Sequence, residues 1–265
     1  MAALAAASLA GVKGGIMSLN FRERLQRRDR LVGTILSLPS PEVAEMCCDA
    51  GFDWLFLDME HGLLSLADVQ RICQVVGGRS ACLVRVPVNE GVWIKKVLDI
   101  GVTGMIVPLV NTPEEASRAV LQSQYPPDGI RSVGISRAHG YGARFQEYVD
   151  EANQQTIVVV QVEHIEAVKN VEKILKVAGV NAILLGPYDL SASLGKPGQI
   201  GDPEVQQAIS RTKQACDAKG CPTGIFAIDV AAVKAALAKG FTLLAVGMDI
   251  TLFSTAARQV VASLK

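Results

Sequence analysis

Four times along this chain a helix-like segment containing Ala or Lys ends in glycine and runs directly into an apolar, β-rich stretch. The copies are Asp49-Ala50-Gly51-Phe52 before Trp54-Leu55-Phe56-Leu57, and Asp99-Ile100-Gly101-Val102 before Met105-Ile106-Val107. Two more are Val177-Ala178-Gly179-Val180 before Ala182-Ile183-Leu184-Leu185, and Ala238-Lys239-Gly240-Phe241 before Leu243-Leu244-Ala245-Val246. A glycine just past the end of a helix adopts the left-handed conformation that stops the helix and turns the chain into the next element. Each copy therefore reads as one αβ unit.

Eight apolar runs of this kind can be counted, at about 32–38, 53–58, 82–86, 104–109, 157–163, 181–187, 222–227 and 242–248. Most lack polar alternation, as expected of parallel strands buried on both faces. Helix-like stretches lie between them, at 40–50, 65–76, 90–100, 112–123, 166–177, 203–219 and 229–239. Eight strands, each followed by a helix, predict an α/β fold closed as a single-domain (β/α)8 barrel over residues 17–265. A chain of 265 residues with 49% hydrophobic side chains can fill one such core.

Two stretches fall outside the repeat. Residues 125–156 are too long for an ordinary connection and carry Arg131, Arg137, His139 and Arg144 among glycines, which suits a lid or a subunit contact as well as an inert excursion. Phe21 to Arg30 reads as a basic amphipathic helix placed to plug the N-terminal mouth of the barrel. Residues 1–16, MAALAAASLAGVKGGI, are expected to be a disordered leader ahead of the fold: the basic residue of a secretory signal is missing from their start.

Charge and composition narrow the partner. Lys plus Arg (26) equals Asp plus Glu (26), so no overall field draws the chain to nucleic acid or to an anionic membrane. Aromatics, at 5%, are too few for a base-stacking surface. No apolar run approaches the ~20 residues that span a bilayer. The six cysteines form no CxxC pair or regular framework, which points to reduced thiols and a cytoplasmic setting. A small molecule is the expected partner.

In barrel enzymes the reactive groups stand at the C-terminal ends of the strands. Here those ends are polar: Asp58-Met59-Glu60-His61-Gly62 after the second strand, Arg85 on the third, Gln161-Val162-Glu163 on the fifth and Gly186-Pro187-Tyr188-Asp189 after the sixth. Glu163 and Asp189 come from adjacent strands, and two anions converging there repel unless a cation lies between them. Oxygen ligands without a Cys/His cluster suit Mg2+ or Mn2+. The alternative has Asp189 capping a helix that starts near Leu190 and Glu163 paired with Arg85. Asp58 beside His61 could fix the tautomer of the imidazole and make it a general base, although a histidine in such a loop is often only solvated. Arg85 closes an otherwise apolar strand, so it should meet either a bound anion or a neighbouring carboxylate. Gln161, one pleat from Glu163, faces the same way.

Absences matter as well. None of the eight runs contains a lysine, which leaves a Schiff-base mechanism without its amine. The seventh and eighth strands end in Ala227-Ile228-Asp229 and Val246-Gly247-Met248-Asp249, neither of which is a glycine-rich phosphate cradle.

Taken in order, Leu57-Asp58-Met59-Glu60-His61-Gly62, Val84-Arg85-Val86-Pro87, Val160-Gln161-Val162-Glu163 and Leu185-Gly186-Pro187-Tyr188-Asp189-Leu190-Ser191-Ala192-Ser193-Leu194-Gly195 resemble the 4-hydroxy-2-oxo-heptanedioate aldolase family, which also includes 2-dehydro-3-deoxyglucarate aldolase and macrophomate synthase. The resemblance runs from about Phe21 to the C-terminus. It implies a metal-dependent class II aldolase that cleaves or forms 4-hydroxy-2-oxo acids, giving pyruvate and an aldehyde through a metal-stabilised enolate. It further implies that Glu163 and Asp189 ligate Mg2+, Mn2+, Co2+ or a similar ion, and that main chain near Gly186, Tyr188 and Asp189 receives the pyruvate carboxylate. By the same resemblance Arg85 steadies the enolate oxygen, Gln161 contacts substrate, and Asp58 with His61 moves the proton of the 4-hydroxyl. Homo-oligomers are implied too, hexamers or trimers of dimers in which Thr251 to Lys265 packs on another subunit. The sequence departs from the family pattern at Ile35 and Tyr188, both on the side of the aldehyde. Decarboxylation or acyl-lyase chemistry through the same enolate, and a barrel that binds a 2-oxo acid without turnover, are the competing readings.

Overall fold

The computed structural model describes residues 17–265; the leader expected at 1–16 lies outside the described residues. The strands are β1 (Leu31–Leu36), β2 (Trp54–Asp58), β3 (Ala81–Arg85), β4 (Gly104–Val107), β5 (Ile157–Val162), β6 (Ala182–Leu185), β7 (Thr223–Ala227) and β8 (Leu243–Met248). They pair in sequence order, all parallel, and β8 returns to β1 to close the barrel. The helices are α1 (Met17–Gln26), α2 (Pro41–Asp49), α3 (Leu66–Val76), α4 (Gly91–Asp99), α5 (Pro113–Ser123), α6 (Phe145–Gln155), α7 (Ile165–Ile174), α8 (Pro187–Ser193), α9 (Pro203–Lys219), α10 (Val230–Ala238) and α11 (Asp249–Leu264).

The four glycines of the repeated junction carry the left-handed backbone that their position requires, with φ of +92° at Gly51, +82° at Gly101, +97° at Gly179 and +80° at Gly240. Helix starts are fixed as locally. Ser65 and Asp68 form a reciprocal capping box on α3, and Thr112 and Glu115 form another on α5.

Alternation along each strand divides the core into two shells. Leu31 and Ile35, Trp54 and Phe56, Ala81 and Leu83, Ile157 and Val159 face the barrel interior. Leu55, Leu57, Cys82, Val84, Val158 and Val160 face outward against the helices. Gly33 makes room for the interior Trp54, since a β-carbon there would lie 2.5 Å from the indole. Phe21 and Leu25 of α1 pack into the interior shell, so this helix does close the N-terminal mouth. Its charges are not all free: Arg24 donates to Asp53 at 2.8 Å.

Of the readings open for the 125–156 excursion, the structure removes the lid. The excursion contains α6 and packs at the N-terminal end of the barrel, where the Ala138 amide donates to the Asp99 carbonyl at 3.0 Å and Arg137 Nη1 donates to that of Ile100 at 2.6 Å. Arg131 is buried against Asp99 at 2.7 Å with its guanidinium 4.4 Å from the centre of the Tyr125 ring. Buried His139 bridges the Tyr125 hydroxyl (3.2 Å) and the Ser136 hydroxyl (2.8 Å). Tethered to the C-terminal end of α4, this segment is no lid over the opposite face of its own barrel, and Arg137 and Arg144 stand at the N-terminal end.

Candidate active site

The polar residues at the mouth continue the inward parity of the strands. Trp54, Phe56 and Asp58 share one side of β2; Ala81, Leu83 and Arg85 share the same side of β3; Ile157, Val159 and Gln161 of β5 lead to Glu163 just past its end. Glu163 and Asp189 follow adjacent, paired strands. Asp189 lies in the first turn of α8, which begins one residue after Gly186. Gly186 keeps this corner open: a β-carbon would stand 3.0 Å from Glu163 Cβ and 3.1 Å from its Oε2. Tyr188 is exposed beside it.

Register decides the partner of Arg85. Asp58 is paired with Arg85 across β2 and β3, and the guanidinium grips its carboxylate in a fork, Nε to Oδ1 at 2.9 Å and Nη2 to Oδ2 at 2.7 Å. Its third nitrogen reaches Glu60 Oε2 at 3.0 Å. Burial opposes the charge on Arg85, but Asp58 and Glu60 hold its pKa above the ordinary value. The expected Asp58–His61 side-chain pair does not form. Asp58 accepts the backbone amides of Glu60 (3.0 Å) and His61 (3.3 Å), while the imidazole of His61 is 70% exposed and lies 3.7 Å from Glu60 Oε2. The cause is competition: a buried guanidinium gains more from a facing carboxylate than a solvated imidazole does.

Glu163 is only 4% exposed. Its Oε1 accepts the Leu109 amide at 2.8 Å, and its Oε2 accepts the side-chain amide of Gln161. Leu109 holds an unusual φ of +51° while its amide makes that bond. Burial pushes the Glu163 carboxyl up to about 7; the Leu109 amide and Arg85 oppose the rise, and the charges of Glu60 and Asp189 add to it. Burial likewise raises Glu60, against Arg85 and His61, with Asp58 and Asp189 adding to the rise. The pairing of Glu163 with Arg85, one of the two sequence readings, is thus replaced by pairing of Arg85 with Asp58 and Glu60. Gln161 Oε1 is buried without a hydrogen-bond partner.

Sequence reading missed two residues here. Leu109 acts through its main chain, which no side-chain pattern signals. Asp249 is buried and accepts the Ser37 amide (2.9 Å), the Ser37 hydroxyl (2.8 Å) and the Leu38 amide (2.8 Å), tying the loop after β1 to the start of α11.

The donor set fits a hard divalent cation. A desolvated Glu163, two further carboxylates close enough to raise its pKa and an unpartnered amide oxygen form an oxygen-rich, electron-rich corner. Among the described residues no group of three or more His, Cys, Asp or Glu side chains is arranged to enclose an ion. Such a corner suits Mg2+ or a similar ion, which typically takes one or two carboxylates and fills its other positions with water and substrate oxygens.

A closed parallel barrel with acid, base and cationic side chains gathered at its C-terminal mouth is a (β/α)8-barrel enzyme. Residues 32–256 match the sequence profile of the HpcH/HpaI aldolase/citrate lyase family. The chain is 38% identical over 248 residues to a hydroxypyruvate/pyruvate aldolase of Cupriavidus necator, covering 92% of each protein. It is 38% identical to a 5-keto-4-deoxy-D-glucarate aldolase of Shigella dysenteriae, over 92% of this chain and 96% of the relative. The crystal structure of a family protein from Burkholderia cenocepacia superposes with a TM-score of 0.90 at 36% identity, over 92% of this chain and 98% of that one. The protein belongs to the HpcH/HpaI aldolase/citrate lyase family and is a carbon–carbon lyase.

Proposed function

We propose that this lyase is a metal-dependent aldolase that cleaves, or in reverse forms, 4-hydroxy-2-oxo acids, with pyruvate or a close analogue as the common fragment and an aldehyde as the other. The observation that carries the reading is Glu163, a buried carboxylate with no ion pair of its own among the described residues, since Arg85, which opposes the rise of its pKa, is committed to Asp58 and Glu60. The names of the relatives from C. necator and S. dysenteriae, both aldolases, support the reaction type. A divalent ion held by Glu163 and Asp189 would supply the electron sink that breaking the C3–C4 bond demands. Main chain at Gly186, Tyr188 and Asp189 receives the carboxylate of the oxo acid, and Gln161 offers its free oxygen to substrate or water. Arg85, steadied by its fork to Asp58, faces the mouth as a fixed positive charge for the developing enolate oxygen. His61, solvated and beside Glu60, takes the proton of the 4-hydroxyl through water; Asp58 acts on the reaction through Arg85.

The same resemblance and the exposed face of α11 support a homo-oligomer, a hexamer or trimer of dimers. The six free thiols support a reducing, cytoplasmic setting. No helix among the described residues is long and apolar enough to cross a membrane. The decisive assay follows pyruvate release from 4-hydroxy-2-oxo acids with Mg2+, Mn2+ or Co2+ and again with a chelator. Glu163→Gln and Asp189→Asn should each lower kcat by about 10³-fold or more while the circular dichroism spectrum is retained. Full turnover in either variant, or in chelator, would reject the reading.

A further inference from the structure

A second concavity, of about 560 Å³, opens at the other end of the barrel, between α1, the turns leading into β3, β4 and β5, and the 137–156 segment. Arg22 from α1 and Arg137 and Arg144 from the 137–156 segment line it, together with Glu147 and Glu151. Elsewhere arginines are mostly neutralised: Arg24 by Asp53 at 2.8 Å, Arg79 by Asp49 at 2.7 Å, Arg131 by Asp99 at 2.7 Å. Among the described residues no carboxylate forms an ion pair with Arg22, Arg137 or Arg144, and residues 1–20 contain neither Asp nor Glu.

Main-chain duties account for only part of these groups. Arg22 donates to the Thr156 carbonyl at 2.9 Å and at 3.5 Å to that of Gln155, and Arg137 donates to Ile100 at the C-terminal end of α4. A guanidinium carries five N–H donors in a planar fork, so most of each fork is unspent. Arg22 is half-buried, and loss of hydration pushes its pKa down with no anion to offset it. Arg144 is exposed on the rim, at the start of α6. The volume lies within the range of small-molecule sites.

We propose that this cavity is a second ligand site, remote from the catalytic mouth, in which Arg22, Arg137 and Arg144 clamp a small organic dianion of the phosphate-ester or dicarboxylate class. The two glutamates on the same wall disfavour a bare polyanion and accept hydrogen bonds from hydroxyl or amino groups, so the ligand carries such donors beside its anionic head.

Calorimetric titration of the full chain with glycerol 3-phosphate and, separately, with malate tests the site and distinguishes the two sources of charge. Saturable binding of one of them is expected. It should weaken about tenfold or more in Arg137→Gln and Arg144→Gln, tighten several-fold in Glu147→Gln as repulsion is removed, and stay unchanged in Glu163→Gln. Because Arg144 is exposed and makes no ion pair, its variant folds even if Arg137→Gln does not. No saturable binding of either probe would overturn the proposal. So would equal affinity in Arg144→Gln, or loss of binding in Glu163→Gln, which would place the anion at the catalytic mouth.

Discussion

Glu163 is a carboxylate that the fold makes hard to ionise, and this has a measurable sign. Its ordinary value is 4.5 and burial raises it to about 7. As pH climbs through that window the unfolded chain gives up this proton first, so the metal-free folded form loses stability, by roughly 3 kcal/mol at most, and the loss is complete above about 7. Urea midpoints of metal-free wild type and Glu163→Gln, taken from pH 4 to 8, should diverge in favour of the variant as pH rises. A constant difference would contradict the burial argument. Affinity for a divalent ion should strengthen over the same window, because the proton competes for the carboxylate. Arg85 gives a second test: Arg85→Met leaves Asp58 buried without its cation and should cost about 3–5 kcal/mol, most of which Arg85→Met/Asp58→Leu recovers. A loss below about 1 kcal/mol in the single variant would show the pair to be well hydrated. At this scale Asp58, Arg85, Gln161 and Glu163 were legible because they are polar residues at the C-terminal ends of apolar strands, with Gln161 one pleat from Glu163. The partner of Asp58 was not, since the choice between His61 and Arg85 depends on the register between two strands.

Among the elements, the helix–glycine–strand junctions were legible because a left-handed residue is a local requirement that few side chains meet. Gly51→Ala should cost about 1–2 kcal/mol from backbone strain alone, for a β-carbon there meets nothing within 4 Å. Gly179→Ala should cost clearly more, because its β-carbon would stand 2.5 Å from Val120 Cγ1 on α5. Thermal melts of the two variants rank them, and equal costs would refute the packing term. Helix α6 was hidden for a different reason. Phe145, Tyr148, Val149 and Ala152 stand at helical spacing, but only Ala152 is fully buried and the stretch follows a glycine- and arginine-bearing segment that reads as loop. Helix α8 starts at Pro187, three residues ahead of the start near Leu190 that the sequence suggests, so Asp189 lies inside its first turn and is not its cap.

For the whole molecule, α11 is the element that one chain does not satisfy. Its only buried residue is Asp249, while Leu252, Phe253, Val260, Val261 and Leu264 are exposed, Phe253 at 76% and Leu264 at 82%. An apolar helix left uncovered in this way favours association. Sedimentation of wild type should show the proposed oligomer, and Phe253→Asp should shift it toward smaller species without changing the fold. A wild-type monomer at micromolar concentration would remove the oligomer reading.

The repeated junction and the unbroken apolar runs determined the barrel, because helix termination and two-sided burial are written within a few residues of each other. Polar residues at the C-terminal ends of apolar strands determined which side chains reach the mouth. Tertiary structure decided what each of them touches: Arg85 with Asp58 and Glu60, Glu163 with the Leu109 amide, Asp249 with the loop after β1, and the 125–156 segment at the opposite end of the barrel. These contacts join residues far apart in the chain, and which partner wins depends on burial and on competing charges that exist only once the eight strands have closed.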